Sequence, residues 1–465
     1  MKHFNLKAVW TTVLTLPTVL FYLVSPFTFR TQRIWGDEFL YLDVALSNQT
    51  GVNVFTHFIP GLMPLTHRPY LVEGWYALSA FITGTEYNRD EFREVNGWVA
   101  QLVGVPEYFL ASAIVNVLLA FGVAYALYVL CRRLHTGHWI ALIATLLFLV
   151  SPRVWFYTTA LWAELPHMAM VFGAVLLLIY PDKLERRAWL RYAGAGLLLG
   201  YAANFKGIAE LWMNASLLWL TAATMLSAFI AYLAQPARQI GERVTASLFG
   251  CSAQARLRVG LIVVLAVSFA LPVGAQKLGT LVRYGEWTIS ANSCRNVEIG
   301  LLPEQPRSVY GRAARELMDR ERACDLRVSE YLDSVDRSEL LTRQGTQFWD
   351  QQIMNSFFKM GLDRNRWTGM DVLEKLEWLG PVSSIVALVM GLYGAAMGMF
   401  FRRSVLLSCF FWFYLMGLLV IGWNPRFFIQ LYPVALVLGA YGVANTHNLL
   451  REAAVFLPSL RRWAS

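Results

Sequence analysis

Long apolar segments recur along almost the whole chain, and this feature limits the fold most strongly. Hydrophobic residues make up 56% of the 465 residues, and charged residues only 15%. A continuous apolar stretch of about 20 residues is long enough to cross a bilayer as a helix. We therefore predict an all-α polytopic membrane protein.

The apolar segments predict about ten transmembrane helices, within a range of about nine to twelve. The first segment is longer than a signal-peptide core and lacks a small-x-small cleavage site, so we interpret it as a retained span. Another apolar stretch, Tyr70–Ile82, is short and fits an interfacial helix better than a span. The ten segments are Ala8–Phe29, Tyr108–Leu130, Trp139–Val150, Pro166–Tyr180, Trp189–Phe205, Ile208–Leu233, Val259–Gln276, Leu379–Phe400, Ser404–Ile421 and Phe427–Thr446.

The distribution of basic residues predicts the orientation. Loops rich in Lys and Arg, such as 131–133, 182–187 and 238–258, all fall on one side of the predicted membrane. By the positive-inside rule that side is cytoplasmic, together with both termini. The net charge of +9 therefore needs no nucleic-acid partner to explain it.

The same topology predicts three regions. Residues 1–276 form an N-terminal transmembrane module with a first exported loop at 30–107, residues 277–378 form a small, mainly helical extracytoplasmic domain, and residues 379–465 form C-terminal transmembrane helices and a cytoplasmic tail. Two of the five cysteines, Cys294 and Cys324, lie in the exported domain. We expect them to form a disulfide, because an exported segment meets an oxidising environment.

An acidic pair, Asp37 and Glu38, follows the first apolar segment on the exported side, in the motif Trp35-Gly36-Asp37-Glu38. A carboxylate at the edge of the membrane is partly desolvated, which raises its proton affinity and suits it to act as a base. The alternative is that the two acids cap a short surface helix.

Four further groups of ionisable residues map to the same side. Ionisable groups near membrane depth are costly and are candidates for function. The groups are His67-Arg68-Pro69, Glu164 with His167, Lys206-Gly207, and Arg426 with Tyr432.

Glu164 and His167 stand three residues apart, so one helical turn would place them on the same face. Such a pair can relay a proton or provide half of a metal site. A helix-capping Glu beside a hydrogen-bonded His is the alternative.

The cations Arg68, Lys206 and Arg426 are suited to bind a lipid-linked phosphate, since guanidinium binds phosphate in a fork geometry. Each could instead anchor a helix end by reaching to the headgroups. Together with the acids, these groups favour displacement at a sugar carbon with a phosphate leaving group.

The order of these motifs resembles the C-superfamily of membrane glycosyltransferases, especially the branch of protein O-mannosyltransferases and lipid A aminoarabinose transferases. Gly36-Asp37-Glu38 is similar to that family's acidic motif, and His67-Arg68-Pro69-Tyr70-Leu71 to its H-x-P-L segment. Phe205-Lys206-Gly207 is similar to its T-K-G element, with Phe in place of Thr. Arg426-Phe427-Phe428 with Tyr432-Pro433 is similar to its closing R-Y-x-x-x-x-x-P span.

The resemblance implies inverting transfer from a polyprenyl-phosphate sugar to an acceptor hydroxyl on the extracytoplasmic face of an integral membrane protein, which we expect in a bacterial inner membrane. The acceptor would be a glycan, a lipid or a protein. Asp37 would be the catalytic base and Glu38 would support it, while Lys206 and Arg426 would belong to the donor phosphate site, where we also expect Arg68 and Tyr432.

The family's second-loop acid is usually Asp, whereas this chain offers Glu164 with His167 nearby. We include both among the candidate catalytic residues. A divalent metal, if the protein uses one, would be held by Asp37, Glu164 and His167.

Three other functions stay open from the sequence. A ligase or polymerase of surface glycans would use lipid-pyrophosphate donors and favour Arg in the exported domain. A transporter or flippase of lipid-linked sugars would show repeated halves and charges midway through spans. A non-catalytic scaffold would need none of the acidic motif.

Overall fold

We describe the fold from a computed structural model. The residues described are 6–28, 33–35, 58–60, 62, 75–78, 81, 92–96, 99–102, 107–159, 162–179, 187–205, 209–233, 253–289, 314–348, 379–398, 404–421 and 429–446. Every statement of absence below refers to these residues.

Helices dominate the described residues, and each of the ten predicted apolar segments overlaps a helix. The helices are α1 Leu6–Thr28, α2 Glu107–Arg133, α3 His138–Leu149, α4 Pro152–Thr159, α5 Glu164–Leu178, α6 Ala188–Phe205, α7 Ala209–Leu233, α8 Ala253–Tyr284, α9 Ala314–Ser334, α10 Arg337–Phe348, α11 Leu379–Gly398, α12 Val405–Ile421 and α13, residues 429–446.

Three helices in the described ranges are long and apolar enough to cross a membrane. These segments are Trp10–Phe27, Ser112–Arg133 and Val259–Tyr284, and α3 with α4 would form a fourth as a pair bent by 53°. Outward-facing residues of these segments are large and apolar, as Leu118 and Val263 illustrate, which suits contact with lipid. The chain is therefore that of an integral membrane protein, and the full count of about ten spans stays a prediction.

The described residues also include a small antiparallel sheet that the sequence analysis did not predict. Its strands are β1 Arg33–Trp35, β2 Phe92–Asn96 and β3 Val99–Leu102, in the order β1-β3-β2. Strand β1 comes shortly after α1 and β3 shortly before α2, and Trp35 pairs with Val99. The sheet thus joins the two ends of the loop that is predicted to be exported, residues 30–107. Of the interfacial helices predicted there, the described residues include a helical turn at 75–78.

Glycines bring two helix pairs into close contact. A Cβ on Gly196 of α6 would lie 2.5 Å from the carbonyl oxygen of Leu265, and one on Gly200 would lie 2.5 Å from Cγ of Pro272. The spacing Gly-x-x-x-Gly is a common device for close approach of helices in membranes. Gly391 of α11 meets Ala435 of α13 in the same way, at 2.7 Å.

Helix α8 continues beyond Gln276, where the sequence analysis placed the edge of the membrane module. Lys277 on this extension forms an ion pair of 3.4 Å with Glu210 of α7. Arg283 near its end donates a hydrogen bond of 2.6 Å to the carbonyl oxygen of Leu62, which lies between α1 and α2. These contacts explain why Lys277 and Arg283, which the sequence placed in a loop, instead extend helix α8.

In the predicted exported domain, the described residues form the helices α9 and α10. Cys324 of α9 is disulfide-bonded, whereas Cys131 and Cys409 are free thiols. Cys251 and Cys294 lie outside the described residues, so the predicted pairing of Cys324 with Cys294 stays a prediction.

Candidate active site

The first turn of α5 contains two fully buried ionisable residues that were predicted from the sequence as site residues. Glu164 and His167 are both 0% exposed. Glu164 is the first residue of the helix, and Ala163 before it provides no side-chain cap. A carboxylate at this position is stabilised by the positive end of the helix dipole. An acid and an imidazole buried together on one helical turn are suited to hold or transfer a proton.

A break between α3 and α4 precedes this turn in the chain, with the short helix α4 between them. Pro152 begins α4, and it has no amide hydrogen to continue the ladder of α3. The hydroxyl of Tyr22 on α1 donates a hydrogen bond of 2.7 Å to the carbonyl oxygen of Leu149. The hydroxyl of Tyr432 on α13 donates one of 3.1 Å to the carbonyl oxygen of Leu147. Irregular backbone at membrane depth needs such partners, and it often accompanies a binding site.

Arg153, in the first turn of α4, is only 3% exposed. Its guanidinium interacts electrostatically with the hydroxyls of Tyr157 and Tyr432. The hydroxyl of Tyr432 also lies beside the side chains of Ser151 and Ser383. A buried guanidinium surrounded by hydroxyl groups can stabilise negative charge strongly, because little water screens it.

Tyr414 of α12 lies near Glu164 and Tyr157, and Tyr157 in turn lies near Arg153. The Tyr414 ring is fully buried, its hydroxyl donates a hydrogen bond of 2.9 Å to Oε1 of Gln430, and it interacts electrostatically with Glu164 and Tyr157. We call the set Arg153, Tyr157, Glu164, Tyr414, Gln430 and Tyr432 the polar cluster. It joins residues of α4, α5, α12 and α13.

Two buried N–H donors adjoin Tyr414 without a hydrogen-bond partner among the described residues. They are Nε2 of Gln430 and Nε1 of Trp212. The centroids of the Trp212 and Tyr414 rings are 5.1 Å apart. A buried donor without a partner is costly. Both donors are therefore suited to form hydrogen bonds with oxygen atoms of a bound molecule or of water.

Aromatic residues enclose the same region. Trp162 lies 5.2 Å from the ring of Phe156 and 5.5 Å from that of Tyr157. Its carbonyl oxygen accepts a hydrogen bond of 2.9 Å from the hydroxyl of Tyr76, which lies in the loop between α1 and α2. The loop that contains the acidic motif thus contacts the turn that precedes Glu164.

The structure brings some of the predicted site residues together and leaves others untested. Glu164 and Tyr432 belong to the polar cluster, and His167 is buried one turn beyond Glu164. The other predicted residues lie outside the described part of the chain, namely Asp37, Glu38, Arg68, Lys206 and Arg426. Their assignments stay predictions.

The suggested metal ligands were Asp37, Glu164 and His167. No group of three or more His, Cys, Asp or Glu residues that could hold a metal ion occurs among the described residues. Asp37 is not among them, so the ligand set also stays a prediction.

The sequence analysis missed Arg153, Tyr157, Tyr414 and Gln430. Residues 151–165 fell between two predicted spans, Trp139–Val150 and Pro166–Tyr180, and no helix was predicted there, although Pro152 is a recognised signal for the first position of a helix. Reading Ser151-Pro152 as a helix start would have placed Arg153 on a helix beside Glu164. Tyr414 and Gln430 have no local signal, because only tertiary packing brings them to the cluster.

No family model and no curated protein matches the chain. Among solved structures, it is similar to the Saccharomyces cerevisiae protein O-mannosyltransferase Pmt1-Pmt2 complex bound to the sugar donor, with 14% identity over 66% of this chain and 38% of that one, at a TM-score of 0.39.

The chain is also similar to the oligosaccharyltransferase AglB of Archaeoglobus fulgidus. The complex with an inhibitory peptide and a dolichol-phosphate gives 12% identity over 97% of this chain and 52% of that one, at a TM-score of 0.45. The complex with Zn and sulfate gives 12% identity over 96% and 51%, at a TM-score of 0.47. The chain spans about half of the length of these proteins or less.

Proposed function

We propose that the protein is an inverting glycosyltransferase that moves a sugar from a polyprenyl-phosphate donor to an acceptor hydroxyl on the extracytoplasmic face. The main support is the complete burial of Glu164 and His167 beside a cluster that contains the buried Arg153. Ionisable groups are retained in such surroundings mainly for function. The cluster combines an acid, a cation and hydrogen-bond donors, which are the groups that transfer from a phosphate needs.

In the proposed reaction, Asp37 removes the proton of the acceptor hydroxyl, and Glu38 supports Asp37. The acceptor oxygen forms a bond to the anomeric carbon while the bond from that carbon to the phosphate oxygen breaks. The electron pair of the broken bond leaves with the polyprenyl phosphate. A single displacement of this kind inverts the anomeric configuration.

The charge that develops on the departing phosphate needs cations. We assign this role to Lys206, Arg426 and Arg68. Tyr432 belongs to the same site but does not donate to the phosphate itself, because its hydroxyl hydrogen is bonded to the carbonyl oxygen of Leu147. Preorganised cations at a leaving group lower the barrier because they interact more strongly with the transition state than with the donor. Glu164 and His167 would transfer protons within the site. If a divalent metal takes part, they would hold it with Asp37, and it would stabilise the same phosphate charge.

The role of Asp37 is tested by Asp37→Asn in the purified protein. We expect sugar transfer to be lost while expression, membrane insertion and elution as a folded species are unchanged. Asp333→Asn, which changes an exposed carboxylate on α9, is the matched control and should retain full activity. Full activity of a correctly folded Asp37→Asn protein would rule out Asp37 as the catalytic base.

The phosphate site is tested by Lys206→Ala and Arg426→Ala, with Arg327→Ala on the exposed surface of α9 as the control. Titration with donor lipid should show weaker binding for the first two variants and unchanged binding for the third. Unchanged affinity in both site variants would contradict the assignment.

A ligase or polymerase that uses lipid-pyrophosphate donors is the second candidate. The exposed arginines of α9 and α10, including Arg327 and Arg337, favour it. Offering the protein monophosphate-linked and pyrophosphate-linked donors in parallel decides between the two reactions.

A further inference from the structure

The last turn of α3 has four carbonyl groups, and the break leaves all of them except that of Leu146 without their usual helical partners. The amide of Val150 donates a hydrogen bond of 2.8 Å to the carbonyl oxygen of Leu146. The amide of Ser151 donates one of 3.3 Å to the carbonyl oxygen of Phe148. The hydroxyls of Tyr432 and Tyr22 reach the other two, those of Leu147 and Leu149. Backbone and tyrosine donors therefore alternate along this turn.

This alternation follows from the position of Pro152. The amide of Ser151 bonds to Phe148, three residues back, and not to Leu147. Pro152 has no amide hydrogen to offer. The carbonyl of Leu147 would therefore lack a donor without Tyr432. An unsatisfied carbonyl in an apolar environment is costly, so these two hydroxyls stabilise the bent arrangement over a straight or otherwise rearranged one.

The bend sets the position of Arg153, which is the second residue of α4. Tyr432 both donates to Leu147 and interacts electrostatically with Arg153. Tyr22 is fully buried and comes from α1, whereas Tyr432 comes from α13. The break is thus held from two sides by helices that are remote in sequence.

We propose that Tyr22 and Tyr432 are positioning residues that fix the angle between α3 and α4 and so hold Arg153 in the polar cluster. The inference rests on the proposed function, since it concerns the site of that reaction. Tyr432 acts on the reaction through the helix end and Arg153, because its hydroxyl hydrogen is bonded to the backbone.

The first test needs no substrate. Tyr22→Phe and Tyr432→Phe keep the rings and remove only the hydroxyls. Tyr128→Phe is the matched control, since Tyr128 bonds to His138 at the opposite end of α3, at 2.8 Å. Amide hydrogen exchange in 150–156 should accelerate in the first two variants and not in the control. Unchanged exchange in both site variants would overturn the proposal.

The second test is a double-mutant cycle on the transfer rate with Arg153→Lys. We expect each Tyr→Phe change to lower the rate about tenfold in the wild-type background, as loss of one well-placed buried hydrogen bond can do. In the Arg153→Lys background the same changes should lower it less than about twofold, because their effect passes through Arg153.

If each Tyr→Phe change lowers the transfer rate by the same factor in both backgrounds, the effects are independent, and positioning through Arg153 is contradicted. A wild-type protein that transfers no sugar would overturn the proposed function alone, since the exchange measurement still decides whether the two tyrosines hold the break.

Discussion

Tyr76 donates a hydrogen bond of 2.9 Å to the carbonyl oxygen of Trp162. Tyr76 lies in the predicted first exported loop, residues 30–107, and is 3% exposed, whereas Trp162 precedes the buried Glu164 by two residues. The two segments in which the sequence predicted acidic site residues are therefore attached to each other. This contact is what a site shared by the two segments requires.

Removal of this contact should reduce activity more than it reduces folding. Tyr76→Phe deletes one buried hydrogen bond, which costs about 0.5–1.5 kcal/mol of stability. We expect the transfer rate to fall several-fold, because the loop can then shift relative to Glu164. The rate is measured beside that of Tyr125→Phe, a change at a position 69% exposed on α2, which should be neutral. Equal rates for the two variants would contradict a shared site.

Neutralising the buried acid should have a far larger effect than neutralising a partly exposed one. We expect Glu164→Gln to lower the transfer rate about a hundredfold or more, the usual contribution of a group that transfers protons. Glu210→Gln is the control. It breaks the ion pair with Lys277, which at its exposure is worth at most about 1 kcal/mol, and should leave the rate within about twofold. A Glu164→Gln protein as active as the control would exclude Glu164 from the chemistry.

Close packing of α6 against α8 should not tolerate even one methyl group. In Gly200→Ala the new Cβ would meet Pro272 at 2.5 Å, so we expect a loss of about 1–3 kcal/mol from overpacking. Gly274→Ala on the facing helix has no atom within 4 Å. There we expect a neutral effect or a gain of about 0.5–1 kcal/mol, because Gly is unfavourable within helices. Thermal unfolding in detergent compares the two, and equal melting temperatures would contradict the packing.

The start of α10 should depend on pH. The Asp336 carboxylate accepts a hydrogen bond of 2.7 Å from the amide of Ser338, and this bond lowers the pKa of Asp336 below its usual range. A lowered pKa in the folded state stabilises the helix at pH values above the unfolded pKa of about 3.9. The stabilisation is lost as the pH falls through the folded pKa.

Amide exchange of residues 337–343, corrected for its intrinsic pH dependence, should therefore rise below about pH 4 in the wild-type protein. Asp336→Ala should show the faster exchange already at pH 7, and Asp336→Asn, which can still accept the bond, should be intermediate. Exchange at pH 7 that is identical in the wild-type and Ala proteins would show that the cap does not stabilise the helix.

The long apolar segments were sufficient to predict the positions of ten helices, though not that of α4, because a stretch of about 20 apolar residues has few other solutions. They were insufficient where structure depends on contacts remote in sequence. The strands around Trp35 are only three to five residues long, and Lys277 looks like the start of a loop until its contact with Glu210 is seen.

The candidate site was predictable in part for the same reason. Glu164 and His167 stand out as ionisable residues at the start of an apolar segment, and both prove to be buried. Arg153 does not stand out. Its burial depends on a break at Pro152, where Tyr22 of α1 and Tyr432 of α13 donate hydrogen bonds to carbonyl groups of α3. No local sequence pattern predicts those two partners.

Incubation of the purified protein with a panel of lipid-linked sugars and an acceptor extract from its source, with and without a chelator, tests the proposed reaction most directly. We expect one monophosphate-linked donor to lose its sugar and the product to have the opposite anomeric configuration, with no product from Asp37→Asn. A product of retained configuration, or consumption of pyrophosphate-linked donors alone, would contradict the account.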